Sequence, residues 1–284
     1  MHTEHIESKF TAMGARLKVR EIPSRWQRGT RTWIEPVDYA VDIQRDRKGE
    51  FFELRVPTHL HGFVEATVLQ TEPIQRHLLL LVRTKSDQPQ LDRFLCGHDE
   101  RDWFVAAVPG GASSVRQAMN DLQPPAVRAA LFRNHISGDK RYTRKNQAFR
   151  RQGEWFFVPM PALEVEEKLI LHNEPLRRGG VGPMARSLGK PHFVEQLFRT
   201  GGQPVNVCDR YPAGLSDAAY RNLLSTAPEA AGWRWQQMQR DPKAYARGTV
   251  RHSDHKTITL PCWHEVFMNT ETKSRTMAKV AFLD

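Results

Sequence analysis

Apolar and polar positions alternate along five runs of the first third of the chain: ARLKVREI (15–22), DYAVDIQR (38–45), GEFFELRV (49–56), FVEATVLQ (63–70) and RHLLLLVRT (76–84). A period of two sends successive side chains to opposite faces, so these runs predict half-buried strands. Gly49 and the stretch from Pro57 to Gly62 punctuate them, and 92–109 reads as two further strands around a polar turn at 97–101. Ser114 to Leu122 predicts a helix, and the Pro124–Pro125 pair opens another.

The alternation stops at FRNHISGDKRYTRKNQAFRR (132–151), which holds seven Lys or Arg and few aliphatic residues and reads as a basic loop or linker. Beyond it, GEWFFVPMP (153–161) and EKLILHNEPL (167–176) predict strands. In HFVEQLFRTGG (192–202), Phe193, Val194, Leu197 and Phe198 share one face of a short helix that Gly201 and Gly202 would end. LSDAAYRNLL (215–224) predicts a helix capped by Ser216, and GWRWQQMQRDPKAYA (232–246) reads as helix or turn. YARGTVRH (245–252) and HKTITLPCWHEVF (255–267) then form a closing hairpin around Ser253–Asp254. The expected fold is α+β: an antiparallel β-rich half over 1–131, the basic loop 132–151, and a mixed basic half over 152–284 with short helices and a terminal hairpin.

With 39% hydrophobic residues in 284, the chain can bury a real core. The longest apolar run, Leu78 to Val82, is far too short to cross a bilayer, and MHTEHIESKF lacks the pattern of a secretory signal. Cys96, Cys208 and Cys262 are odd in number and form no CxxC pair, which fits a reducing compartment. A cytoplasmic protein without a membrane partner is expected. Charge adds a sharper clue: the formal +10 is uneven, with 18 Lys/Arg against 17 Asp/Glu in 1–131 and 24 against 15 in 132–284. A concentrated positive field attracts polyanions, nucleic acid foremost.

Candidate chemistry lies in the same half. His252 and His255 flank the predicted hairpin turn, where two imidazoles can serve as acid and base, and His264 follows on the second strand. RRGGVGPMARSLGKPH (177–192) is a glycine-rich basic loop entering the predicted helix at His192. Arg177, Arg178, Arg186 and Lys190 are its phosphate-binding candidates, with His192 at a helix start as a further base. In the basic loop, Arg133, Lys140, Arg141, Arg144, Lys145, Arg150 and Arg151 could neutralise phosphates while Tyr142 stacks on an unpaired base, favouring RNA or single-stranded DNA. The expected function is nucleic-acid binding with metal-independent phosphodiester processing and no cofactor. A non-catalytic nucleic-acid-binding or assembly module is the alternative.

A small metal-dependent enzyme is a further alternative, with two ligand sets. Cys96, His98, Cys262 and His264 form two CxH pairs able to hold tetrahedral zinc. His59, His61 and Glu65 have the HxHxxxE spacing that resembles the first cupin motif, which implies iron or zinc on a strand, although no second cupin motif follows.

Overall fold

The computed structural model describes residues 3–23, 25–27, 32–34, 38–85, 89–176 and 191–273. The fold is α+β with several antiparallel sheets, and the chain divides into two compact units. The first takes the described residues up to Gln123 together with the turn Thr270–Lys273, and the second takes Pro124–Asn269.

In the first unit, helix α1 (Thr3–Ala12) precedes strand β1 (Leu17–Ile22), the hairpin of β2 (Arg25–Gln27) and β3 (Thr32–Ile34), and strands β4 (Ala40–Asp46) and β5 (Gly49–Pro57). A meander of β6 (Val64–Glu72), β7 (His77–Thr84), β8 (Leu91–Asp99) and β9 (Asp102–Val108) follows. One pairing departs from the antiparallel expectation, because β1 runs parallel to β5. Phe10 of α1 joins Phe52, Leu54, Leu78, Leu80 and Val82, inward positions of the alternating runs, at the centre of one core. Helix α2 (Val115–Asp121) starts at Ser114, whose hydroxyl accepts the Gln117 N–H at 3.1 Å.

The second unit opens with α3 (Pro125–Arg133), which has Pro125 at its first position. Strands β10 (Arg150–Gln152), β11 (Trp155–Pro159), β12 (Leu171–Pro175) and β13 (Phe193–Thr200) come next. After them come β14 (Gln203–Cys208), β15 (Tyr211–Leu215), α4 (Asp217–Thr226), β16 (Gln236–Arg240), β17 (Lys243–Arg251) and β18 (Ile258–Met268). Six of these strands form one sheet in the order β10-β11-β18-β17-β13-β12, and β15-β14-β16 form a smaller one. Ser216 caps α4 by accepting the Ala219 N–H.

Two expectations are corrected here. Residues 193–200 are strand β13, paired to β12 and β17, so His192 stands before a strand and not at a helix start. The reason is a fault in the ladder: pairing to β17 shifts register between Val194 and Gln196, pairing to β12 skips Asn173 and Glu195, and across the fault Val194 and Leu197 reach the same core. Buried residues three apart then imitate helical spacing. Residues 236–251 are likewise two strands, the first with Met238 packed on Val205 and Val207. Among the described residues no helix is long and apolar enough to cross a membrane.

Candidate functional site

Antiparallel pairing sets the first two histidines together. Phe193 of β13 faces Arg251 of β17, so the residues one step further along, His192 and His252, are opposite each other where the ladder ends. Their rings stack with centroids 4.1 Å apart at 18°. His255, three residues on in the β17–β18 connection, stacks on His252 at 4.7 Å and lies 5.5 Å from His192. The Asp254 N–H donates to His252 Nδ1 at 3.2 Å, and Ser253 Oγ donates to Asp254 Oδ1 at 3.0 Å, which shapes the turn. His192 is buried, 4% exposed, with Trp155 edge-on at 6.4 Å; the other two rings are half-buried.

The β10–β11 hairpin closes over this connection. The Gln152 amide donates to Val250 O at 3.2 Å and to Lys256 O at 2.8 Å, and Arg150 donates to Thr259 O. Gly153 follows at φ +56, and a Cβ built there would stand 2.8 Å from His255 Nε2 and 3.2 Å from His192 Nε2. Only glycine leaves that space open. Glu154 places Oε1 4.0 Å from His192 Nδ1, on the opposite side of that ring from Nε2, while Asn269 N–H holds the Glu154 carbonyl at 2.8 Å.

A cavity of about 450 Å³ adjoins the histidines, lined by Asn173, Pro191, Phe193, Arg251, His252 and Ser253. Arg251 donates to Asn173 Oδ1 across it. One nitrogen from each of His192, His252 and His255 lies within 4.8 Å of those of the other two, and no other set of three His, Cys, Asp or Glu side chains converges in this way among the described residues.

His264 is not part of the group. It faces Ala246 of β17 and Pro159 of β11, is 1% exposed, and donates from Nδ1 to Cys262 O at 2.8 Å. Burial pushes its pKa below the ordinary imidazole value. The CxH zinc set is divided between the units: Cys262 and His264 belong to the second, and Cys96 and His98 to the first, where burial pushes the Cys96 thiol far up and His98 packs edge-on against Trp103 at 4.9 Å. The cupin-like set also fails. His59 lies in a single 3-10 turn and His61 just after it, His61 Nε2 meets Glu21 at 3.0 Å, and Glu65 binds Arg83 and Lys85 at 2.8 and 2.6 Å.

Arg177, Arg178, Arg186 and Lys190 lie outside the described residues. In the basic loop, Arg133, Lys140 and Lys145 are exposed, while Arg141, Tyr142, Arg144, Arg150 and Arg151 are half-buried. Burial pushes the Arg151 guanidinium down to about 10, and burial together with the neighbouring Arg151 charge does the same to Arg144. Both stay charged at neutral pH. Sequence reasoning missed Gly153, Glu154 and Asn173, because a turn glycine, a surface glutamate and a strand asparagine carry no signal of what a distant hairpin brings against them. The chain matches no protein-family model, no curated protein and no solved structure.

Proposed function

We propose that the protein is a phosphodiester hydrolase acting on nucleic acid, with His192, His252 and His255 as its reaction centre. One observation carries this reading: imidazoles from two separate segments of the chain converge beside a cavity that also presents the Arg251 guanidinium. Hydrolysis joins a water oxygen to phosphorus and breaks the bond to the departing sugar oxygen, which receives the proton the water gives up. Arg251 suits the phosphate charge, since a guanidinium pairs two oxygens at once. The imidazoles take the water's proton and hand it to the leaving oxygen.

The basic segment supports a polymeric anion as substrate. It runs through β10 directly into Gly153, so its cations lead along the chain to the centre. The test is one assay with labelled single-stranded RNA, single-stranded DNA and duplex DNA at low and moderate salt. Binding should weaken steeply with salt and cleavage should follow, and His255→Ala should retain binding while losing cleavage. Binding without cleavage would assign the alternative, a non-catalytic module; indifference to all three nucleic acids would overturn both.

A further inference from the structure

We infer that His192, His252 and His255 are ligands of one divalent transition-metal ion, zinc by the chemistry of the set. The inference concerns the same centre as the proposed hydrolysis and deepens that reading, replacing imidazole proton transfer with a metal-activated water.

The atoms are arranged as ligands. In a tetrahedral site with Zn–N bonds of about 2.0–2.1 Å, donor nitrogens stand about 3.4 Å apart. Here the three candidate nitrogens already lie within 4.8 Å of one another. Nε2 of His192 and Nε2 of His255 both border the space above Gly153, at 3.2 and 2.8 Å from where a Cβ would sit, so the absence of a side chain there leaves room between them. Moreover, the ladder and a short turn hold the histidines in place without a metal, through the Phe193–Arg251 pair, the Leu176 N–H on His192 O at 2.8 Å and the Gln152 amide on the connection.

Glu154 adds a carboxylate on the far side of the His192 ring. Ligating imidazoles commonly give their second N–H to a carboxylate, which fixes the tautomer and strengthens the ligand. Glu154 Oε1 stands 4.0 Å from His192 Nδ1, longer than a hydrogen bond, so a side-chain shift of about 1 Å would let it take that N–H when a metal holds Nε2 on the side of Gly153. Glu154 is thus a positioning residue.

The donor chemistry narrows the metal. An all-imidazole set suits zinc among abundant metals, and three protein ligands leave a fourth position for water or substrate.

The test uses the full chain purified without a polyhistidine tag. Elemental analysis should find one zinc per chain, and metal-stripped protein titrated with Co(II) should develop the intense visible bands of tetrahedral cobalt. His255→Ala should lose both signals while keeping its circular dichroism. Glu154→Gln, which cannot leave a buried ligand missing, should weaken zinc binding about 10- to 100-fold. His172→Ala, an exposed histidine on β12, should bind as the wild type does. Folded wild-type protein with neither stoichiometric zinc nor cobalt bands would overturn the inference, as would a His255→Ala variant that binds zinc normally. The two readings fail separately: metal bound without cleavage overturns the hydrolase, and cleavage undiminished in metal-free protein overturns the metal site.

Discussion

The substitution Gly153→Ala tests the geometry of the site against a matched control. Gly153 sits at φ +56 and Gly138, in the same unit, at φ +57, but a Cβ at Gly138 meets nothing within 4 Å. Left-handed backbone costs an L-residue about 1–2 kcal/mol, and both alanine variants carry that cost. At Gly153 alone, the new carbon lies 2.8 Å from His255 Nε2, so restoring an ordinary 3.4 Å contact requires the imidazole to withdraw by about 0.6 Å. That exceeds the tolerance of about 0.2 Å within which ligand distances normally fall. Urea unfolding of metal-free protein should therefore show a loss for Gly153→Ala at least as large as for Gly138→Ala, while added zinc should stabilise Gly138→Ala as fully as wild type and Gly153→Ala much less. Each tenfold loss of affinity removes about 1.4 kcal/mol of that stabilisation at saturating metal. Equal zinc-linked gains in the two variants would refute the convergence of His192 and His255 over Gly153.

Two predictions concern the frame around the site. His264 has a folded pKa lowered by burial, so as pH drops past its unfolded value of about 6.5 the unfolded chain takes up a proton that the folded chain refuses. Stability present above that pH should decline below it, and His264→Gln should flatten the slope in urea titrations at stepped pH; an unchanged slope would count against the assignment. Gln152→Leu removes the buried amide that joins Val250 O to Lys256 O and should cost about 1–3 kcal/mol, measured as a lowered urea midpoint with faster amide exchange in 252–257. Wild-type stability in that variant would show that the amide does not hold the connection.

Local patterns in the sequence were good guides wherever local physics decides. The alternating runs at 15–22, 49–56 and 76–84 become β1, β5 and β7, and Ser114, Ser216 and Pro125 begin helices for reasons carried by those residues alone. The hairpin of β17 and β18 and the placing of His252 and His255 at its turn were legible for the same reason. His192 was picked out for the wrong cause, a helix dipole, since it owes its position to a strand partner 60 residues away that periodicity cannot reveal. The HxHxxxE spacing of His59, His61 and Glu65 presupposed an extended strand, and a 3-10 turn at Thr58–Leu60 breaks that premise. Gly153 and Glu154 were invisible because their importance comes entirely from what lies across from them.

The fault that disguised β13 as a helix also builds the site. At one level of the sheet, Asn173 at φ +54, Glu195 and Gly248 at φ +83 interrupt three neighbouring strands. Glu195 Oε2 fills the gap by accepting the Thr249 N–H and hydroxyl at 2.8 and 2.9 Å, and a Cβ at Gly248 would stand 2.6 Å from that oxygen. Such irregularities increase local twist and re-aim the side chains beyond them. Beyond this one, within three or four residues at the ends of β13 and β17, come His192, Arg251 and His252, and Asn173 itself accepts from Arg251 and lines the cavity. In-plane pairing puts Trp155 beside Met268, at the other end of β18 from the connection that carries His255. Gln152 nevertheless bonds Val250 and Lys256, so the sheet has to curl for Gly153 to meet the histidines. The second irregularity, where β18 passes from Leu260 to His264 against β17, lies along that curl and contains Pro261, which has no N–H to give a regular ladder. The centre is therefore a property of how the sheet bends, with the histidines supplied by the segments that the bend brings together.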